Sequence, residues 1–258
     1  MTRRRLDREL VRRHLADTRA AAQRAINDSR VRVGGVAEPK AATLVDRLTP
    51  ISLVPEEAGY VSRGGAKLAG ALRQLPVPVA GRRALDAGAS TGGFTDCLLQ
   101  EGASHVTALD VGYGQLHWRL RGDPRVRVME RTNLRHVHPA QLDAPFGVVV
   151  ADLSFISLGA VAAVLAALGD EATDYVLLVK PQFELGRDQV GKGGVVRDRQ
   201  GHARALRTVV EDLARAGLGV RRAVASPLPG AKGNREFFVW ARRGPVLVQD
   251  DDLAEVVA

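Results

Sequence analysis

The sequence predicts an α/β fold, a mainly parallel sheet with helices on both faces, preceded by a small basic α+β unit. Three observations lead there. From Arg82 onward, short apolar runs of strand length alternate with segments of helix length. The first of those runs ends on Asp86 and enters the glycine-rich turn Gly88-Ala89-Ser90-Thr91-Gly92-Gly93, after which a helix is expected over 91–101. Ahead of the sheet, the residues through Lys40 are dense in arginine and show helix spacing followed by a strand pattern.

The glycine turn invites a ligand, because a strand, a tight turn and a helix N-terminus bring backbone close to whatever sits there. A dinucleotide fingerprint reads G-x-G-x-x-G and holds pyrophosphate on the helix N-terminus. Here the spacing is G-x-x-x-G-G, with Asp86 just before the first glycine. An anion at that point suits an ammonium or sulfonium better than a pyrophosphate. The next strand ends on Asp110, where a carboxylate can take ribose hydroxyls. Together these features fit a cationic adenosine ligand, S-adenosylmethionine, bound on a Rossmann-like sheet. The competing reading is an ordinary strand–helix turn whose glycines serve packing alone.

Composition bounds the rest. The 258 residues suffice for one α/β domain and a smaller partner, and 45% apolar residues suffice for a packed core. A formal charge of +8 points to a polyanion, of which nucleic acid is the commonest, although a basic soluble enzyme could carry the same balance. Cys97 is the single cysteine, which leaves no internal disulfide and no cysteine-rich metal site, so no metal is expected. The arginine-rich start lacks an apolar segment after it, so it does not read as a secretory signal. The longest apolar run, 158–168, is too short to span a bilayer. The expected location is cytoplasmic, with no membrane partner.

Residues 1–55 read as their own unit. Leu6, Leu10, Val11 and Leu15 recur at helical spacing, and Ala21, Ala25 and Ile26 follow on a second short helix closed by Asn27 and Asp28. Val31-Arg32-Val33-Gly34-Gly35 reads as a strand entering a turn, and residues 44–53 could supply a second short strand pair. Through Lys40 there are eleven Lys or Arg against five acids, a composition able to grip phosphates. The segment resembles the small RNA-binding domain named after the fourth protein of the small ribosomal subunit, through Arg5-Leu6-Asp7, Thr18-Arg19, Ala22, Ile26, the strand at Val31 and Lys40. That resemblance implies Arg5, Arg19 and Lys40 as phosphate contacts, against the plainer reading of a solvated basic face.

A linker over 56–61 follows, where Pro55 and Gly59 interrupt both periodicities. The large domain, 62–258, opens with a glycine pair and a helix carrying Lys67, ended by Pro76 and Pro78. Strands are expected at 84–86, 105–110, 126–130, 147–152, 175–180 and 219–224, with a last one at 236–241 after the break 226–230. The tail with Asp250-Asp251-Asp252 reads as a short helix or a frayed end.

Ligands of such sheets sit beyond the carboxyl ends of the strands. Asp152 and Lys180 each end an apolar run there, and Lys180 is either snorkelling outward or held near a substrate. Lys67 and Glu236 stand in glycine-rich contexts at the two ends of the domain. Each alone has a bland explanation, while one shared site explains all four.

These residues carry a family resemblance. Ser62-Arg63-Gly64-Gly65-Ala66-Lys67-Leu68, Leu85 to Phe94, Ala151 to Ser157, Lys180-Pro181-Gln182-Phe183-Glu184 and Ser226 to Glu236 together resemble the TlyA-type ribosomal RNA cytidine 2'-O-methyltransferases of the FtsJ-like class. The resemblance spans nearly the whole chain. It implies a catalytic tetrad of Lys67, Asp152, Lys180 and Glu236, and a cofactor loop over Gly88, Ala89, Ser90, Thr91, Gly92 and Gly93. It also implies that Asp110 and Glu130 lie at the adenosine, and that the partners are ribosomal RNA and the subunits of the small (16S) and large (23S) molecules. One departure stands out: where the family linker often reads Arg-x-Trp-Val, this chain has Ala58-Gly59-Tyr60-Val61.

The chemistry suits such a tetrad. A ribose 2'-hydroxyl is a poor nucleophile and a sulfonium methyl is already activated, so much of the task is in-line placement. An ammonium stabilises developing alkoxide and a desolvated lysine can accept the proton; Lys180 is the expected centre of that role, with Asp152 and Glu236 holding the lysines. Residues 186–193 nearly match the phosphate loop G-x-x-x-x-G-K-[ST], but Gly193 stands where a hydroxyl is needed, so a flap or plain loop is expected. Two rival classes stay open: an RNA-binding protein that keeps the fold without catalysis, and a membrane-active protein, since the family has also been described as haemolytic.

Overall fold

The computed structural model describes residues 3–27, 30–34, 36–37, 40–53, 59–186, 189–191 and 193–258. The chain divides into two compact units, Met1–Gly59 and Tyr60–Ala258.

In the first unit two helices, α1 (Leu6–Arg12) and α2 (Arg19–Asn27), cover short strands. β1 (Arg4–Arg5) pairs with β4 (Leu44–Val45). β2 (Val31–Val33) is the middle strand between β3 (Val36–Ala37) and β5 (Ile51–Leu53). Leu6, Leu10, Ala22, Ala25, Ile26, Val31 and Val45 form its core, so the helical spacing at Leu6 and Leu10 does face inward. The first helix stops at Arg12, and Leu15 packs on the core from the turn beyond it. Residues 44–45 and 51–53 are both strands, yet they join different sheets. The turn between them explains this, because Asp46 Oδ1 accepts from Leu48 N, Thr49 N and Thr49 Oγ1 and redirects the chain. Asp28 and Gly35, as well as linker positions 56–58, lie outside the described residues.

The second unit is built on a seven-stranded sheet. Its strands are β6 (Arg83–Ala87), β7 (His105–Leu109), β8 (Val126–Met129), β9 (Phe146–Ala151), β10 (Gly169–Val179), β11 (Leu218–Ala225) and β12 (Phe237–Arg243). The order is β11-β12-β10-β9-β6-β7-β8. The five from β10 to β8 are parallel, and β12 inserts antiparallel between β10 and β11. Each expected strand is present. β10 starts earlier than its apolar run, with an irregular register between Gly169 and Asp174.

Alternation across the pleat sends neighbouring residues to opposite faces. Leu85, Ala87, Val149, Ala151, Tyr175, Leu177 and Val179 share one core with α6 (Ala162–Ala167), α8 (Arg199–Arg215) and α9 (Asp250–Val257). Ala84, Val148, Val150, Val176 and Leu178 share the other with α3 (Arg63–Leu72), α4 (Gly93–Gln100) and, through Leu120, the single turn α5 (Trp118–Arg121). Burial on both faces is why these strands read as unbroken apolar runs rather than alternating ones. α9 is a formed helix, since Leu253 and Val257 are buried against that core and Asp252 accepts from Gln249 N at its start. Among the described residues no helix is long and apolar enough to cross a membrane.

The edge of the sheet away from the glycine turn is tied by Asp174. This fully buried carboxylate accepts from Arg82 Nη1 (2.6 Å), Arg242 Nε (2.6 Å) and Trp240 Nε1 (2.7 Å). Burial pushes its carboxyl up, but the bonds from Arg242, Arg82 and Trp240 outweigh that and hold it below the usual carboxylate range. Removing one partner of a buried pair strands the others. Asp174→Ala is therefore expected to lower stability by about 3 kcal/mol, read as a lower urea midpoint with an unchanged slope; an unchanged midpoint would remove Asp174 from the account of this edge.

Candidate active site

The glycine turn joins β6 to α4 and is stitched to its neighbours. Gly88 N and Ala89 N both donate to Leu109 O (2.8 and 3.1 Å), and Asp152 N donates to Ala87 O at 3.0 Å. Gly88 has φ +87°, and a Cβ there would stand 2.5 Å from the carbonyl oxygen of Asp152. Only glycine combines that backbone with that approach. Gly92, at φ +98°, faces Leu116 and Leu120, with no room for a side chain. Gly93 lies against Ser62 and the backbone of Gly65, where α3 and α4 meet.

Beside this turn lies a cleft of about 340 Å³. Gly88 and Ser90 form one wall; Asp110 and Gln115 follow β7, and Thr132, Asn133 and Leu134 follow β8. Residues 152–156 close it after β9. Asp110 is fixed in place, its Oδ2 accepting from Ser90 N (2.8 Å) and its Oδ1 from Gly112 N (2.6 Å). Leu109, Leu134, Leu153, Ile156 and Val161 supply an apolar slot. A carboxylate at the strand end, a flat apolar slot and a volume within the small-molecule range fit an adenosine-type cofactor.

Asp86 sits behind the turn. It is fully buried, its Oδ2 accepts from Thr95 Oγ1 at 2.6 Å, and its Oδ1 has no partner among the described residues. Burial pushes its carboxyl up to about 7, against the Thr95 bond and with the charge of Asp152 adding to the rise. A buried carboxylate oxygen without a donor is what a cationic ligand group would satisfy. Of the expected cofactor residues, Gly88, Ser90 and Asp110 line the cleft. Ala89 is buried, Thr91 offers its carbonyl to His117 N, and Gly92 and Gly93 serve helix packing. Glu130 is not on the cleft wall; it accepts from Gly114 N at 2.8 Å and pairs with Arg121.

The four charged candidates gather at the carboxyl edge as two ion pairs. Lys67 Nζ donates to Glu236 Oε2 at 2.7 Å, both side chains buried. Lys180 Nζ pairs with Asp152 Oδ1 and donates to Ser154 Oγ at 3.1 Å. Register explains the convergence. Val179 of β10 faces Phe237 of β12, so the next residues outward are Lys180 and Glu236. Ala151 of β9 lies between Leu177 of β10 and Ala87 of β6, which puts Asp152 beside the glycine turn. Gly230 packs so tightly on the Glu236 carboxylate that no side chain fits between them.

Several wall residues escaped the sequence reading. Asn133 and Thr132 were signalled only by a polar run just past a strand end. Phe155 is 92% exposed at φ +65°, its ring 5.3 Å from that of Phe183. Residues 187, 188 and 192 of the near phosphate loop lie outside the described residues, and its far end is tied by Asn234 Nδ2 to Gly194 O at 3.0 Å. In the first unit, Arg5 and Arg19 meet on Asp7, whereas Lys40 is exposed before β4 and takes no part in that cluster.

One further acid braces the segment between Ile156 and Val161, both of which line the cleft. Glu184, at the end of the single turn α7 (Pro181–Glu184), accepts from Leu158 N at 3.1 Å. Burial pushes its carboxyl up to about 7, the Leu158 bond opposing and the charge of Asp212 adding. A free glutamate titrates at about 4.3. The raised value means that the folded state binds the proton more tightly, so this contribution to stability is full below about pH 4 and is lost as pH rises through about 7. Glu184→Gln should therefore gain on the parent chain by about 2 kcal/mol between pH 5 and pH 8, measured by urea unfolding at each pH; a difference independent of pH would count against a buried carboxyl here.

Comparison with known proteins agrees with this geometry. The FtsJ-like methyltransferase family matches residues 60–243, and the S4 domain matches residues 4–46. The chain is 51% identical over 242 residues to the 16S/23S rRNA (cytidine-2'-O)-methyltransferase TlyA of Mycobacterium tuberculosis, covering 92% of this chain and 89% of that one. It is 37% identical over 235 residues to a protein named Hemolysin A from Brachyspira hyodysenteriae, covering 91% and 98%. A solved structure of a candidate hemolysin from Streptococcus thermophilus superposes with a TM-score of 0.78 at 38% identity, covering 100% of this chain and 95% of that one. With the match spanning the whole sheet and the cleft at its edge, the chain belongs to the FtsJ-like methyltransferase family and carries an S4 domain ahead of it.

Proposed function

We propose that this chain methylates the ribose 2'-hydroxyl of a cytidine in ribosomal RNA, taking the methyl group from S-adenosylmethionine. The observation that carries the reading is the gathering of two lysine–carboxylate pairs at the carboxyl edge of the sheet, one of which, through Asp152, reaches the wall of an adenosine-sized cleft. The 51% identical relative, named for the same reaction on 16S and 23S rRNA, supports it. On this reading both ribosomal subunits are substrates and the protein works in the cytoplasm.

S-adenosylmethionine, when bound, supplies a methyl already activated by the sulfonium. Asp110 takes the ribose hydroxyls of that cofactor, the slot between Leu109 and Leu134 takes its base, and Asp86 answers its ammonium. The protein's remaining task is to place and activate the acceptor oxygen. Lys180, held by Asp152 and Ser154, sets an ammonium where alkoxide charge develops, and such fixed charge acts mainly on the transition state. Lys67, held by Glu236, positions the substrate from the α3 side. An unstacked base in a single-stranded segment of RNA can be held against an aromatic ring, which fixes the position of its ribose. Phe155, exposed at the cleft mouth, offers a ring for that base to stack on. The S4 domain docks the RNA through phosphate contacts by Arg5, Arg19 and Lys40.

Two measurements test the reading. Lys180→Ala should keep cofactor and RNA binding while single-turnover methylation falls by about 100-fold or more. Lys180→Arg should be nearly as slow, because a guanidinium keeps the charge but, planar and longer, does not set it at the same place. RNA binding by the parent chain without transfer of labelled methyl would leave a docking protein only. The second measurement concerns pH. A cationic ligand favours the ionised form of Asp86, whose carboxyl lies at about 7, so S-adenosylmethionine should bind more tightly at pH 8 than at pH 6. Calorimetry on Asp86→Asn should show weaker binding and the loss of most of that dependence; unchanged affinity would remove Asp86 from the cofactor site.

A further inference from the structure

The S4 domain carries two carboxylates that are buried rather than solvated, and they do different things. Glu9 holds Arg12 and Arg13, and Arg13 spends its remaining donors on the carbonyls of Asp46, Arg47 and Thr49. That arginine is consumed by the fold. Asp7, fully buried, receives Arg5 through Nε (3.1 Å) and Nη2 (3.0 Å), Arg19 through Nε (2.9 Å), Gln23 Nε2 (3.0 Å) and Arg8 N (2.9 Å). Arg5 and Arg19 come from different elements, the first strand and the second helix, and meet only because of this one side chain. Their side chains remain 39% and 50% exposed, and among the described residues Arg19 Nη1 and Nη2 have no acceptor. The two guanidinium groups thus turn a fixed set of N–H donors outward.

We propose that Asp7 is a positioning residue for RNA binding: it locks Arg5 and Arg19 into one preformed fork that takes a phosphate group. This rests on the reading of the S4 domain as the RNA-docking unit. An arginine side chain on the surface has many rotamers, and binding must otherwise remove that freedom. A carboxylate beneath the fork removes it on folding instead. The bonds from Arg5, against burial and with Arg19 and Gln23 adding, hold the Asp7 carboxyl well below the usual carboxylate range, so it stays ionised wherever RNA is handled. The contrast with simple electrostatics is one of sign. A negative charge near a polyanion weakens binding, so on charge alone its neutralisation should strengthen RNA affinity. On the positioning account the same substitution weakens it.

The test uses the full chain and purified, labelled large-subunit ribosomal RNA, with affinity measured across salt. Asp7→Asn is expected to weaken binding about 10-fold or more, and equal or tighter binding would overturn the proposal. In the Asp7→Asn background, Arg19→Lys should cost little, whereas alone it should cost about as much as Asp7→Asn; additive losses would overturn it too. If melting shows that Asp7→Asn unfolds the S4 domain, Arg19→Lys decides on its own. It keeps the charge but loses the Nε bond to Asp7, so wild-type affinity would overturn the proposal and about a 10-fold loss would support it. Arg5→Ala and Arg19→Ala distinguish the underlying reading. Wild-type affinity in both would remove RNA docking by this face, and the fork with it. Losses in both without any loss in Asp7→Asn would leave docking intact and overturn positioning alone.

Discussion

The close approach of the ends of β6 and β9 is the constraint on which the site depends. Gly88 leaves no room for a Cβ against the Asp152 carbonyl, and Asp152 N bonds to Ala87 O. The turn that shapes the cleft and the residue that holds Lys180 are therefore one structural unit. A change of one strand register between β6 and β9 would move Asp152 to the opposite face of the sheet. Packing on both faces opposes a one-residue slip, since it would send one core's residues into the other. Stability in the sheet and geometry in the site are thus set by the same pairing.

Charge is handled consistently at this edge. Four ionised groups taken out of water individually would be costly, and each lysine is accordingly matched to a carboxylate. The two pairs differ in surroundings: Lys67–Glu236 is the more enclosed, sealed by Gly230, while Asp152 of the other pair is more open beside the cleft. Two acids without such partners, Asp86 and Glu184, are pushed up to about 7 by burial. One backs the glycine turn and the other holds Leu158 N in the segment between Ile156 and Val161 of the cleft wall, so the acids without a cation lie near the site rather than at the distant edge, where Asp174 is fully matched.

Much of the fold was legible because burial on both faces writes parallel strands as apolar runs, and the glycine turn marked where the sheet opens. The insertion of β12 between β10 and β11 was not legible, since nothing local to residues 237–243 says which strands it separates. The same limit hid the separate sheets of residues 44–45 and 51–53. In the site, charged residues ending strands announced themselves, whereas Asn133 and Phe155 lie in loops whose path only the packed structure defines. Gly92 and Gly93 are a further case. The sequence does not say that a side chain there would meet Leu116, Leu120 and Ser62, where a helix starting at a crowded sheet edge needs bare backbone on its packed side.

Net charge is the coarsest of these signals, and the structure shows what it leaves out. The excess of cations makes attraction to RNA expected, but attraction over distance does not place a phosphate or a hydroxyl. In both units a carboxylate fixes the direction of a cation: Asp7 beneath Arg5 and Arg19, Asp152 beside Lys180, Glu236 beside Lys67. Each lowers the favourable charge of its surface while fixing the direction of the cation it holds. Long-range attraction scales with the number of cations and is screened by salt, whereas direction depends on side chains held within hydrogen-bond distance and is screened far less. A basic protein that must reach one hydroxyl within a large polyanion needs both terms, and on the roles proposed for these cations their acids supply the second at the expense of the first.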